Sequence, residues 1–171
     1  DSEDNVYYNP MRLNCGWGKI IDAHISNFIY LKSIIDFDYI MFHASNDMYI
    51  RKGVVNYISQ FDAGFHVHKI CTISRWWPSA CILEDPVVDE LLKQLGTESI
   101  VATQLESSFY RKELFDDIVE VIDKARGLAA QREKSDYIKS YTREEVYFST
   151  VAYHFIQERG LNRGYPTTYS E

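Results

Sequence analysis

Hydrophobic residues recur every three or four positions along much of the chain. This is the spacing of an α-helix that packs one face on a core. Two of these stretches are bounded by residues that helices use at their ends: one follows Asp85, begins with Pro86 and is followed by Gly96, and the other ends at Gly160. The stretches that predict helices are 19–35, 54–61, 86–95, 112–126 and 142–160.

Three shorter stretches have the composition of β-strands. The strand predicted over 38–42 is an apolar and aromatic run, typical of a strand buried on both faces. It gives way to Ser45, Asn46 and Asp47. In open α/β sheets, ligands bind beyond the carboxyl ends of strands, so Asp47 is a candidate ligand-binding carboxylate; a simple Asn-Asp turn is the alternative. The other two predicted strands are 5–9 and 99–105.

The order of these elements predicts one α/β domain over residues 1–171. Helix 19–35 joins strand 38–42 through a very short connection, which is half of a βαβ unit. We therefore expect a mostly parallel central sheet flanked by helices on both faces. The polar stretch 127–140 is expected to be a mobile lid.

The composition narrows the class of partner. A net charge of −7 argues against nucleic acid, because phosphate backbones need clustered Lys and Arg. Aromatic residues make up 15% of the chain, and such rings serve sugar-binding surfaces as well as cores. Three cysteines without tight pairing indicate a reducing, cytoplasmic compartment. No apolar run is long enough for a transmembrane segment, which predicts a soluble protein.

Two glutamates at the start of the last predicted helix are candidate catalytic groups. Thr142 and Glu145 match a capping box, in which each side chain bonds the backbone N–H of the other residue. A glutamate in a first helical turn also projects from a fixed point, as a general base must. Glu145, with Glu144 as its competitor, therefore has either a capping role or a catalytic one.

Polar and aromatic residues near the predicted strand ends are candidate ligand contacts. Glu106 and Ser107 follow a predicted strand and are able to bind sugar hydroxyls, although ordinary loop polarity also accounts for them. Trp76 is able to stack on a sugar face, with interior packing as the alternative. His66 and His68 do not have the spacing of a zinc ligand pair.

Three separated segments, in order, resemble motifs of the GT-A-fold glycosyltransferases, most nearly the core-2/I-branching N-acetylglucosaminyltransferases. Residues 15–18 (Cys-Gly-Trp-Gly) open a helix, as the family's Gly/Ala-(Ser/Gly)-Trp segment does, and 37–47 resembles its strand with a Gly-Gln-Asp-like turn. Residues 109–115 resemble a hydrophobic run with an Arg that leads into a helix. Residues 142–150 resemble a Ser-Pro-Asp-Glu segment followed by aromatic-Ala-Thr. The sequence of residues 43–47 (His-Ala-Ser-Asn-Asp) is also similar to glycosyltransferase domains encoded by large chlorella viruses.

The resemblance implies a GT-A fold and an enzyme that transfers a sugar from a UDP-sugar donor to a hydroxyl of a glycan or glycoprotein acceptor. Glu145 falls on the position of the family's catalytic base. Donor contacts are implied for Ser45, Asn46, Asp47 and Trp17. Asp47 would also hold a divalent cation, Mn²⁺ or Mg²⁺, against the donor diphosphate.

The resemblance is incomplete, and alternatives stay open. Glu106, Ser107 and Trp76 become candidate acceptor contacts, but the chain begins after the family's first nucleotide-binding strand and helix. Arg143 replaces the Pro of the family's last motif, and Ser45–Asp47 lacks the usual Asp-x-Asp pair. The branching enzymes work without a metal, so both metal dependence and inversion against retention remain open. A non-catalytic nucleotide-sugar or glycan binding domain is the alternative function, and a viral origin would imply the host cytoplasm.

Overall fold

The computed structural model describes residues 6–44, 52–71, 78–131 and 141–167. The helices in these ranges are α1 (Ile21–Ile34), α2 (Val54–Ile58), α3 (Ser79–Leu83), α4 (Pro86–Leu95), α5 (Lys112–Ala129) and α6 (Arg143–Arg159). The strands there are β1 (Tyr39–Met41), β2 (Ala63–Gly64), β3 (His68–Ile70), β4 (Ile100–Ala102), β5 (Phe109–Arg111) and β6 (Arg163–Gly164). The chain is therefore mixed α/β, with long helices and short strands.

The described strands form a four-stranded sheet in the order β1-β5-β2-β6 and a separate pair, β3 and β4. β1 with β5, β2 with β5, and β3 with β4 are antiparallel, and β2 with β6 is parallel. The prediction of a mostly parallel central sheet is wrong for these strands. The short α1–β1 connection does occur, but the neighbour of β1 comes from far along the chain, and local spacing does not determine its direction.

β1 is an edge strand, and this limits its burial. Tyr39, Ile40 and Met41 are half-buried, whereas Phe42 just beyond them is buried. The prediction of a strand buried on both faces is therefore wrong for β1. An edge strand of a small sheet has too few neighbours to cover all of its side chains.

Aromatic rings fill the centre of the core. The ring centroids of Phe42, Phe115 and Phe148 lie 5.0 to 5.7 Å from one another. Phe115 also contacts two other rings: the centroid of Phe28 in α1 lies 4.8 Å away, edge-on, and that of Tyr110 in β5 lies 5.4 Å away. All five side chains are buried, and burying a ring of this size contributes roughly 1.5–3 kcal/mol to stability. The cluster joins α1, β1, β5, α5 and α6.

The five predicted helices are confirmed as α1, α2, α4, α5 and α6, and the one predicted over 54–61 ends earlier, at Ile58. Gly96 and Gly160 end α4 and α6 with φ angles of 62° and 63°. Residues with a side chain rarely adopt this left-handed conformation, so glycine at these positions stops the helix. No helix in the part of the chain that the structure describes is long and apolar enough to cross a membrane.

Two local predictions differ from the structure. Residues 6–9, the described part of the first predicted strand, have no regular secondary structure. α5 continues to Ala129, so the start of the predicted loop 127–140 is helical. Ala129 at the end of α5 is buried, which accounts for the longer helix, and residues 6–9 are mostly exposed. Residues 132–140, the rest of the predicted lid, lie outside the described residues.

Candidate functional site

The first two turns of α6 are fixed on β4 by hydrogen bonds. The hydroxyls of Ser149 and Thr150 donate to the Val101 carbonyl at 2.7 and 2.9 Å, and the Val101 N–H donates to the Thr150 hydroxyl at 3.0 Å. The Glu145 carbonyl accepts from the Thr103 N–H at 3.0 Å. Leaving one such buried group unpaired would cost about 1–3 kcal/mol. The backbone of Glu145 therefore keeps one position relative to β4.

A buried carboxylate, Asp85, holds the start of α6 in place. Its Oδ2 accepts from the hydroxyls of Tyr141 and Tyr147 at 2.6 and 2.8 Å. Arg143 Nε lies 3.4 Å from the same oxygen, and Arg143 Nη1 donates to the Gly18 carbonyl at 2.9 Å. Burial, reinforced by the charge of Asp85, raises the pKa of both tyrosines, so their hydroxyls stay protonated as donors.

A pocket of about 360 Å³ opens where β3, β4 and α6 meet. One side is built by the pairing of His68 with Ala102, next to which the His66 N–H donates to the Thr103 hydroxyl at 3.1 Å. The half-buried Glu145 side chain lines it from α6. The full lining is His66, His68, Ala102, Thr103, Gln104 and Glu145. Most of these side chains carry hydrogen-bond donors or acceptors that suit hydroxyl groups.

The Glu145 carboxylate is held by a hydrogen bond from Thr142. The Thr142 hydroxyl donates to Glu145 Oε2 at 2.6 Å and caps no backbone N–H. The predicted capping box is therefore wrong: its two residues meet side chain to side chain, and the Thr142 hydroxyl oxygen accepts no hydrogen bond from a backbone N–H of the helix. Burial raises the pKa of Glu145, the Thr142 bond lowers it and the charge of Glu106 raises it, with a net upward shift.

Glu144 is more deeply buried than Glu145. It exposes 5% of its surface, and its Oε2 has no hydrogen-bond partner among the described residues. Burial raises the pKa of Glu144 to about 7; its backbone hydrogen bond and Arg143 oppose the rise, and the charges of Glu145 and Glu106 add to it. Such a carboxyl exchanges its proton near neutral pH, a property common in acid–base sites.

The turn that carries Glu106 packs on the carboxyl end of β1. The Ser107 N–H donates to the Phe42 carbonyl at 2.6 Å, and the Phe42 N–H donates to the Ser108 carbonyl at 3.0 Å. Ser107 has a φ of 65°, a left-handed conformation that costs a non-glycine residue roughly 1–2 kcal/mol. Ser107 is fully buried, so it shapes the turn through its backbone. The turn brings Glu106 to the strand end from which Asp47 follows.

His24 of α1 faces the same turn. Its ring lies edge-on to Phe42, with centroids 4.9 Å apart. Burial lowers the pKa of His24, and the charge of Glu106 partly opposes this. The imidazole is therefore mostly neutral at pH 7. It adds a hydrogen-bonding group, and no compensating positive charge, beside the glutamates.

The structure brings three predicted carboxylates together and leaves other predicted residues apart. Glu106, Glu144 and Glu145 are here called the acidic cluster: the charge of Glu106 raises the pKa of both Glu144 and Glu145, and the charge of Glu145 raises that of Glu144. Trp17 precedes α1 with 61% of its surface exposed, and the next residue, Gly18, contacts Arg143. The predicted residues that lie outside the described ranges are Ser45, Asn46, Asp47 and Trp76.

Comparisons with protein-family models, curated proteins and solved structures find no match. Within the described ranges, no three His, Cys, Asp or Glu side chains are grouped so that they could hold a metal ion. The predicted metal ligand, Asp47, is not among those residues. The function is therefore inferred from the chemistry of the acidic cluster and the pocket beside it.

The spacing of His66 and His68 does not suit a zinc site, but it does predict that both side chains lie on the same side of an extended segment. Residues two apart in an extended chain point to the same side, and His66 and His68 do line one pocket. The sequence gives no comparable sign for His24, because its electrostatic interaction with Glu106 joins residues far apart in the chain.

A second pocket, of about 400 Å³, lies between α1 and the segment before it. Asn9 Nδ2 donates to Ser26 Oγ at 2.9 Å and to Asn27 Oδ1 at 3.1 Å, which ties the segment to the helix. Tyr8 lines this pocket with 82% of its surface exposed. The lining residues of α1 differ from the residues that α1 buries in the core, which are Ile21, Ile25 and Phe28.

Proposed function

We propose that this chain is a glycosyltransferase domain that moves a sugar from a nucleotide-diphosphate sugar, UDP-linked as in the family it resembles, to a hydroxyl of a glycan acceptor. The observation that supports this best is the Glu145 carboxylate. It lines an open pocket, stands on a fixed backbone and has a raised pKa. A general base needs access to its substrate, a set position and sufficient basicity.

In the proposed reaction, the acceptor hydroxyl binds in the Glu145 pocket. Glu145 takes the hydroxyl proton while the oxygen attacks the anomeric carbon of the donor. The bond from that carbon to the diphosphate breaks through an oxocarbenium-like state, and its electron pair leaves with the nucleoside diphosphate. His66 and Gln104 are available to bind neighbouring hydroxyls. This route inverts the anomeric configuration; in a retaining enzyme, Glu145 would orient the acceptor.

The donor is proposed to bind at the carboxyl end of β1, in a fold of GT-A type. Asp47 follows this end, and the Glu106 turn packs against it through Phe42. A donor there would adjoin the acidic cluster. A divalent cation, Mn²⁺ or Mg²⁺, on Asp47 would offset the repulsion between the diphosphate and these carboxylates.

A sugar-binding domain without catalysis is the second candidate. The 2.6 Å bond from Thr142 favours it, because this bond occupies one oxygen of Glu145 and stabilises the charged carboxylate. Carboxylates also bind sugar hydroxyls without any reaction. Transfer and binding must therefore be measured separately.

Paired substitutions test the proposal. Glu145→Gln keeps the shape of the side chain but cannot accept a proton, so transfer should fall about 10²- to 10⁴-fold. Its melting temperature and donor affinity should stay near wild type. Glu144→Gln, in the same turn, is the matched control and should keep most of the activity. The donor is found first by a thermal-shift screen of nucleotide sugars with and without Mn²⁺, since a ligand at 100 times its Kd stabilises by about 2.7 kcal/mol.

The outcomes separate the candidates. An inactive Glu144→Gln protein beside an active Glu145→Gln protein would move the base by one residue. Normal transfer by both variants would remove both glutamates from catalysis. Donor or glycan binding by the wild type without transfer would favour the binding domain.

A further inference from the structure

Tyr165 combines an exposed side chain with a firmly held backbone. It exposes 68% of its surface. Its N–H nevertheless donates to the Tyr57 hydroxyl at 2.9 Å, and that hydroxyl donates to the Tyr165 carbonyl at 3.0 Å. Side chains on chain ends are usually exposed because the backbone frays. Here the backbone is bonded on both sides of the residue, so its position is defined.

The residues on either side of Tyr165 are held as well. Gly164 pairs with Gly64 between β6 and β2. A Cβ on Gly64 would lie 2.7 Å from the Tyr165 carbonyl oxygen, so the two backbone segments approach too closely for any larger residue at position 64. The Thr167 N–H donates to the Ser107 carbonyl at 3.1 Å. Residues 163–167 thus run from the sheet to the turn that carries Glu106.

The Tyr165 ring stands beside the Glu145 pocket. Its centroid lies 6.3 Å from that of His66, which lines the pocket. The Arg163 guanidinium carbon lies 5.9 Å from the Tyr165 ring and 5.6 Å from the ring of Phe65, and Arg163 Nη1 donates to the Phe65 carbonyl at 2.6 Å. These contacts leave most of the ring uncovered at the edge of the pocket.

The surroundings define the chemistry of a ligand for this ring. An exposed aromatic ring is amphipathic: its flat face is apolar, and its hydroxyl stays in water. A pyranose ring is its natural counterpart, because C–H groups cover one face of the sugar and hydroxyls project from its edge. The acidic cluster and the net charge of −7 disfavour anionic ligands nearby, and the Arg163 guanidinium beside the ring is already engaged by the Phe65 carbonyl.

We infer that Tyr165 is an aromatic platform at the rim of the Glu145 pocket, on which one ring of a neutral oligosaccharide stacks while a neighbouring sugar residue enters the pocket. Under the proposed function, this oligosaccharide is the acceptor glycan. The stacking itself does not depend on transfer.

The experiment measures glycan binding in the absence of any donor. Wild type, Tyr165→Ala and Tyr165→Phe are applied to an array of neutral and sialylated oligosaccharides, and the strongest neutral binder is titrated by calorimetry. Tyr165→Phe should bind within about threefold of wild type, and Tyr165→Ala should bind about tenfold more weakly, which is the scale of one aromatic contact. Tyr8→Ala removes an even more exposed tyrosine ring elsewhere and should bind as wild type does.

Each result supports or overturns the inference. Equal loss in the Phe and Ala variants would assign the effect to the hydroxyl, and unchanged binding by Tyr165→Ala would remove the platform. Binding of sialylated glycans alone, or of no glycan by the wild type, would also overturn it. Melting temperatures of both variants should match wild type, because Tyr57 bonds only the backbone of Tyr165.

The same measurements distinguish this inference from the proposed function. If Tyr165-dependent binding is found but no donor supports transfer, the platform stands and the transferase proposal fails. If transfer is found and Tyr165→Ala leaves the acceptor KM unchanged, the transferase stands and the platform fails.

Discussion

The first turns of α4 and α6 use polar side chains in opposite ways. At α4, Asp85 Oδ1 accepts from the Val87 N–H at 2.9 Å, and its other oxygen is occupied by two tyrosine hydroxyls. At α6, the Thr142 hydroxyl caps no backbone N–H and bonds the Glu145 carboxylate instead. Next to it, Glu144 is buried with an oxygen that has no partner among the described residues.

The first turn of α4 is therefore arranged for stability. The first turn of α6 keeps two glutamates whose charged forms are disfavoured by burial. A helix N-terminus favours carboxylates by roughly 0.3–1 kcal/mol at exposed positions. Burial outweighs that effect at α6, because the pKa values of Glu144 and Glu145 are raised. Perturbed carboxyls beside a pocket are typical of functional sites. Asp85 therefore has a structural role, and the raised pKa of Glu145 beside the pocket supports the proposal that this carboxylate acts on a ligand.

The largest expected effect on stability is from Asp85→Ala. This change leaves the Tyr141 and Tyr147 hydroxyls without their acceptor, Arg143 without its buried partner, and α4 without its cap. We expect a loss of about 3–5 kcal/mol in the free energy of unfolding, measured by urea denaturation. Asp89→Ala, which removes an exposed pair with Lys93 on the same helix, should cost less than about 1 kcal/mol. Similar losses in both variants would contradict the structural role of Asp85.

Glu144→Gln should change how stability depends on pH. Native Glu144 binds its proton more tightly than the unfolded chain does, with a pKa of about 7 against an ordinary value of 4.5. The free energy of unfolding should therefore fall as pH rises from about 4.5 to 7, by on the order of 2–3 kcal/mol.

The Glu144→Gln protein should lose most of that decline. Glu113→Gln, at an exposed position in the first turn of α5, is the control and should keep the wild-type slope. Denaturation curves at pH 4.5, 5.5, 6.5 and 7.5 would measure how the free energy of unfolding of each protein changes with pH. Parallel slopes in all three proteins would refute the assignment of a high pKa to Glu144.

The smallest expected effect on stability is from Thr142→Val. Because the Thr142 side chain caps no backbone group, its loss should change the free energy of unfolding by about 0.5 kcal/mol or less. The Thr142 bond lowers the pKa of Glu145, so the variant should raise that pKa. The acidic limb of the pH–rate profile should move to higher pH. A large loss of stability would instead indicate a capping role.

The sequence predicts the helices better than the sheet. The periods of α1, α4, α5 and α6 are local, and the glycines at 96 and 160 mark two helix ends by backbone conformation alone. The pairing of Tyr39 with Arg111 joins residues far apart. No short-range pattern encodes such a pairing, so the direction of the sheet could not be predicted.

The candidate site is predictable to a similar degree. Glu106 and Glu145 are expected from their places after a strand and at a helix start, and the two do interact. The contribution of Tyr165 is not visible in the sequence, because it depends on the pairing of β6 with β2 and on Tyr57. The sequence predicts that Thr142 and Glu145 interact, but it predicts bonds to backbone N–H groups, whereas the structure has a bond between the two side chains.

The hydroxyl contacts between α6 and β4 have a consequence for how a ligand would bind. Ser149 and Thr150 join the helix to Val101 inside the core, so the backbone of Glu145 cannot move away from His66 and Gln104 unless the core opens. The entropy of arranging this part of the pocket is lost once, during folding, and not again with each ligand. We expect ligands to enter a preorganised surface in a single kinetic step. Discrimination among sugars should then come from shape, with little adaptation by the protein.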